Sequence, residues 1–180
     1  LAALWLSPLP GLATGSMVLH MVLHLGVTAV VPALYAPKLR LPAGAMALTL
    51  GAVAEMLVVW AWHLPSLHLW ARLNTTGFIL EQASFLGAGM LLWATVRAAG
   101  GFGGAVVLLA TTMHMTLLGA LIGLSPRDLY GDICAGYLGL SALQEQQVAG
   151  AMMAGAGGAI YLVAALRRLG LALKLTEATT

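Results

Sequence analysis

Residues Gly104–Leu124 read GAVVLLATTMHMTLLGALIGL, an uncharged run whose most polar side chain is that of His114. A helix rises ~1.5 Å per residue, so ~20 apolar residues cross the hydrocarbon of a bilayer. An open sheet is excluded, because its edges leave backbone groups unsatisfied in lipid. The same pattern recurs on both sides of this run. Ser16–Tyr35 is closed by Pro37-Lys38, and Ala43–His63 is stopped by Pro65. Thr76–Arg97 runs into a glycine cluster at Gly100, Gly101, Gly103 and Gly104, and Val148–Arg168 comes last. These stretches predict an all-α, polytopic membrane bundle of about five transmembrane helices. It forms a single domain over 1–180, with a cytoplasmic tail over 169–180.

Composition supports this reading. Of 180 residues, 61% are hydrophobic and 8% charged, against about 25% charged in a soluble domain. A soluble fold of this length has too little interior to hide that apolar surface, so lipid must cover part of it. The 22 glycines suit close helix contacts in a membrane. The net charge of +2 comes from only eight basic residues, which argues against a nucleic-acid partner. Cys134 is the sole cysteine, so an internal disulfide, a zinc ribbon and thioredoxin-type redox chemistry are all excluded. No phosphate loop, nucleophile elbow or paired-carboxylate arrangement is present, and no enzymatic activity is expected. The apolar start Leu1–Leu6 reads as the tail of a helix.

Alternating spans sort the loops by side. The side on which the first span ends holds Lys38, Arg40, Arg97, Arg167, Arg168 and Lys174. The opposite side holds the cations Arg72 and Arg127, with Glu81, Asp128, Asp132 and Glu145. Short cytoplasmic loops collect Lys and Arg, so the first group is expected in the cytoplasm and the second on the outer side, toward the periplasm or cell exterior. The tryptophans Trp60, Trp62, Trp70 and Trp93 read as an interfacial belt.

The chemistry sits in the first span. Met17, His20, Met21 and His24 are spaced by three and four residues and share one helical stripe. Two imidazoles one turn apart can share a metal, and adjacent thioethers favour Cu(I) over zinc. Packing alone is the bland alternative, but polar groups inside a span are costly. His63, at the end of the second span, and His114 can join this stripe in the outer half of the bundle. The metal candidates are therefore His20, His24, His63 and His114, with Met17 and Met21. His68 reads as a solvated loop residue. Glu81 is either a carboxylate favoured by its helix dipole or an acceptor that orients a ligating histidine. Glu145, in the polar run Ser141–Gln147, and Cys134 lie at the expected mouth, and Ser141 reads as a helix cap. Glu55 stands alone in mid-span, protonated or paired within the bundle.

In order, Leu6-Ser7-Pro8-Leu9, the Met17–His24 stripe, Trp62-His63-x-Pro65 and Leu80-Glu81-x-x-Ser84-Phe85-Leu86 form one succession. Ala110-Thr111-x-Met113-His114-Met115, Gly119-Ala120-Leu121, Ser125-Pro126 and Leu129-Tyr130 continue it. Ser141-Ala142-Leu143-x-x-Gln146-Gln147-x-Ala149-Gly150 closes it. This succession resembles the CtaG family of bacterial, caa-type cytochrome c oxidase assembly factors. Gln82 departs from the histidine usual at that position, while Glu145 fills the place of the acid before the glutamines. The resemblance implies a role in maturing a haem–copper oxidase, with copper as the metal delivered. Oxidase subunits are then the partners and a periplasmic copper chaperone the donor. Two alternatives remain open. One is a haem-binding electron-transfer protein, ligated by His20 or His24 opposite His114. The other is an accessory structural subunit of a respiratory oxidase complex.

Overall fold

The computed structural model describes residues 1–37, 44–131 and 139–177. Among the described residues there is helix, turn and loop and no strand. Lys38, Arg40, Asp132 and Cys134 lie outside them. Two short helices, α1 (Ala2–Trp5) and α2 (Leu9–Ala13), precede the first span. That span is α3 (Met17–Leu25), a π-helical segment Gly26–Val30, and α4 (Val31–Tyr35). Then follow α5 (Ala45–Trp62), a short helix α6 (Pro65–Leu73), α7 (Thr75–Ala98) and α8 (Gly101–Gly123). The last span joins α9 (Ala142–Met152), a second π-helical segment Met153–Gly157, and α10 (Gly158–Glu177). Met17–Tyr35, Ala45–Trp62, Thr75–Ala98, Gly101–Gly123 and Ala142–Lys174 are long and apolar enough to cross a membrane. The chain is a multi-pass membrane helix bundle.

Local signals set the ends of these helices. The Ser16 side chain accepts from the Leu19 N–H at 3.3 Å, and Asn74 Oδ1 accepts from Thr76 and Gly77 N–H at 2.9 and 3.1 Å. Ser141 and Gln144 form a reciprocal capping box, which satisfies two orphan donors. The last span therefore starts at Ala142, a turn and a half before the Val148 expected from hydropathy. Its helix also runs past Arg168 to Glu177, into the segment expected to be a tail. Pro32 explains the first π segment. Inside a helix, proline lacks a donor and its ring meets the carbonyl four residues earlier, here that of Thr28. The chain relaxes into Gly26–Val30 just before that point.

Polar and charged side chains are buried beside the apolar core, while large apolar side chains face outward. Leu50, Leu57, Val106, Leu117 and Leu121 are exposed, whereas His20, His24, Glu55, His68, Arg72, Glu81 and Glu145 are buried. Lipid solvates the first group, and the second must find partners inside. Two of the tryptophans sit close to a belt position, where Trp62 stacks on Trp70 at 6.0 Å between ring centroids. Trp93 does not. It is buried and stacks on Tyr161 at 5.9 Å, so it belongs to the core.

Close approach between helices depends on glycine. A Cβ at Gly119 would meet Gly150 O at 2.7 Å and Ala154 N at 2.6 Å, so α8 and the last span touch backbone to backbone. A Cβ at Gly89 would collide with the Thr28 carbonyl, the group displaced by Pro32. Gly87, two residues away on the exposed side of α7, has nothing within 4 Å. Overpacking costs about 1–3 kcal/mol, whereas exchanging glycine for alanine in an open helix position gains up to about 1 kcal/mol. Thermal unfolding in detergent is expected to place Gly89→Ala below the wild-type Tm and Gly87→Ala at or above it.

Candidate metal centre

The start of α3, the end of α5, all of α6 and the start of α7 meet at one end of the bundle. His20 and His24 extend from the same face of α3, with their rings stacked 6.2 Å apart at 4°. His63 is the residue that ends α5. Its Nδ1–H donates to the Val59 carbonyl at 2.6 Å, which turns Nε2 inward. The His63 ring lies 5.1 Å from that of His24 and 6.3 Å from that of His20. His68, on α6, meets His20 edge to face at 4.9 Å. Four imidazoles from three helical segments thus form one buried cluster. His20 Nδ1, His24 Nε2 and His63 Nε2 are buried without a hydrogen-bond partner. Each has a lone pair or a proton with nowhere to go, which in a native interior calls for an explanation. Met17 and Met21 are buried on the same stripe of α3.

His68 is the clearest correction to the sequence reading. It is buried rather than solvated, because Pro65 starts a helix where a loop was expected. The same helix carries Arg72 inward. The Arg72 guanidinium pairs with the Glu81 carboxylate and donates to the Ala13 carbonyl at 3.3 Å. Glu81 Oε2 also accepts from Gln82 Nε2 at 3.2 Å, and Trp5 Nε1 donates to Gln82 Oε1 at 3.3 Å. Glu81 Oε1 has no partner. The strongest contact of Glu81 is with a cation that the sequence reading left in the outer loop. The signal available was the i, i+4 spacing of His68 and Arg72 after Pro65.

Around this cluster, Phe85 lies 4.2 Å from the His24 ring and Tyr130 lies 4.6 Å from that of His68. The Tyr130 hydroxyl donates to the His63 carbonyl at 2.9 Å. Asp128 holds this turn by accepting from the Tyr130 and Gly131 N–H groups. Glu145 caps the start of α3, where its Oε2 accepts from Ser16 Oγ at 2.6 Å and from the Val18 N–H at 3.2 Å. His114 is placed elsewhere. Its Nε2–H donates to Glu55 at 2.8 Å, and the Tyr161 hydroxyl reaches the other Glu55 oxygen at 3.4 Å. Glu55 is thus paired within the bundle. The structure brings together His20, His24 and His63 and sets His114 in this second polar group. Cys134 falls outside the described residues.

Residues 39–170 match the family described as cytochrome c oxidase caa3 assembly factor (Caa3_CtaG). No curated protein and no solved structure matches the chain. His63, His68, Arg72, Glu81, His114 and Glu145 lie within the matched residues, and the Met17–His24 stripe precedes them.

Burial pushes the His63 imidazole down from 6.5 to about 4; its bond to Val59 opposes the shift and the Arg72 charge adds to it. Burial, then Arg72 and His63, lowers His68 as well. Both rings are neutral at physiological pH, the form that binds metals. An unfolded chain takes up these protons near pH 6.5 and the folded chain only near pH 4 for His63. Stability is therefore intact above about pH 6.5 and falls as the pH drops toward 4. Melting curves between pH 7.5 and pH 4.5 are expected to show this decline, with a shallower slope for His63→Gln.

Proposed function

The chain belongs to the family of cytochrome c oxidase caa3 assembly factors, and from that premise we propose that it holds Cu(I) in its histidine cluster and passes it to the oxidase from the outer face of the membrane. Its role is in assembling cytochrome c oxidase, and the oxidase is its partner. Copper is the cargo. His20, His24 and His63 are the nitrogen ligands, with Met17 and Met21 as thioether donors from the same stripe. His114 is left out, because its Nε2 is engaged by Glu55. A periplasmic copper chaperone supplies the ion, and the protein itself performs no catalysis.

The observation that carries this reading is the set of buried, partnerless imidazole nitrogens gathered from α3 and α5 beside two buried thioethers. Soft and borderline donors in a water-poor site favour Cu(I). Burial keeps His63 neutral, so no proton must leave before the metal binds at neutral pH. The outward placement draws support from charge. Arg72 is neutralised by Glu81, which leaves Arg127 as the one exposed cation at the cluster end among the described residues. Arg97, Arg167, Arg168 and Lys174 lie at the opposite end. Haem finds less support, since the four rings pack against one another and Phe85 with centroids 4.2–6.4 Å apart.

Titration of the detergent-purified chain with Cu(I), against a competing chelator, tests the reading. Wild type is expected to bind one ion. His20→Ala/His24→Ala should bind at least about 100-fold more weakly, as the loss of two ligands at ~1.4 kcal/mol or more each requires. Cells carrying the double variant should contain oxidase depleted in copper. Equal Cu(I) affinity in a folded double variant would sink the proposal.

A further inference from the structure

Beyond the soft stripe of α3, the cluster has a second side. His20, His68 and Glu81 each offer one ligand atom, and these atoms lie within 4.8 Å of one another. All three residues are buried. From this we propose a second metal site in the same cluster, formed by His20, His68 and Glu81, that takes a divalent cation of the borderline class such as Zn2+ or Co2+. It goes beyond the Cu(I) reading and shares only His20 with it.

The argument rests on how Glu81 divides its two oxygens. Oε2 receives the Arg72 guanidinium and the Gln82 amide. Oε1 is buried with no hydrogen-bond partner. A carboxylate needed only to neutralise Arg72 has no reason to leave one oxygen bare in the interior, since an unsatisfied buried acceptor keeps its full desolvation penalty. His20 and His68 each bring a ring nitrogen to within 4.8 Å of a Glu81 carboxylate oxygen and of each other, and one carboxylate oxygen with two ring nitrogens is a metal-ligand set. The donor chemistry then selects the ion. Two nitrogens and a hard oxygen suit divalent zinc-like ions, whereas Cu(I) prefers sulfur. Three protein ligands also leave the fourth tetrahedral position open, the arrangement of an exchangeable rather than a purely structural site.

Charge is consistent with a cation here. Among the described residues, the buried charged side chains at this end of the bundle are two carboxylates, Glu81 and Glu145, and one guanidinium, that of Arg72. Glu145 caps the first turn of α3, the helix that presents His20. Arg72 keeps its grip on Oε2 while Oε1 ligates, so the ion pair and the metal site are compatible. The Arg72 bonds to Glu81 and to Ala13 hold the carboxylate in place before an ion arrives, as a supporting residue does for a ligand.

The test uses the full chain in mild detergent and reads Co2+ binding by its visible ligand-field bands, with Zn2+ as competitor and Cu(I) in a separate titration. Wild type should develop the bands of a low-coordinate Co2+ site and lose them when Zn2+ is added. His68→Gln should weaken Co2+ binding at least ~10-fold and leave Cu(I) affinity unchanged. His24→Gln should do the reverse. Arg72→Met/Glu81→Leu removes the ligating carboxylate together with its counter-charge, so no buried charge is stranded, and it should lose the Co2+ bands as well. Absence of the bands in wild type, or their persistence in either folded His68→Gln or the folded double variant, overturns the proposal. Loss of Cu(I) binding with the Co2+ site intact counts against the copper reading alone.

Discussion

A guanidinium and a carboxylate have been removed from water together where Arg72 meets Glu81. Neither survives that burial alone, and breaking such a pair typically costs about 3–5 kcal/mol. The pair ties α6 to the second turn of α7, and the bond from Arg72 to the Ala13 carbonyl brings in α2. Gln82 and Trp5 extend the same chain of contacts to α1. Because α6 is held in this way, His68 is carried on its surface toward His20. The geometry of the cluster thus follows from an ion pair that contributes no imidazole.

Lipid makes this economy of contacts necessary. With no water at hand, polar side chains in the spans gather in interior groups, among them the histidine cluster, the Glu55–His114–Tyr161 group and Glu145 with Ser16. Many apolar side chains face outward, and those that meet lipid supply no drive for the helices to associate. Close packing supplies it instead. Gly119 and Gly150 let backbones touch, and Gly89 receives the carbonyl released at Pro32. The same constraint explains why both π segments are tolerated, since their altered hydrogen bonds remain within the helix.

The spans were legible because hydropathy over a membrane's thickness is a long, strong signal. The stripe of His20 and His24 was legible because helical spacing puts residues four apart on one face, and His63 because it ends a span on the same side. The Pro65–Leu73 helix was legible only in the proline at its start and the i, i+4 spacing of His68 and Arg72. Its nine residues fall short of any span, so hydropathy did not mark it. Its inward turn depends on Glu81, a partner nine residues ahead that no periodicity links to it. Trp93 misled for a related reason, as depth in a bilayer cannot be told from burial against Tyr161 by position alone. The fate of His114 was hidden because Glu55, on another helix, claims it.

Tyr130 closes the cluster from above, with its hydroxyl on the His63 carbonyl and its ring against His68. A buried site has a rate of exchange separate from its strength of binding. On the copper proposal, an ion among the rings would wait for buried side chains such as Tyr130 to move aside, however weakly it is held. Local openings of this kind take microseconds or longer. On that proposal, a partner that draws Tyr130 away from His63 and His68 would shorten the residence time without touching a single ligand.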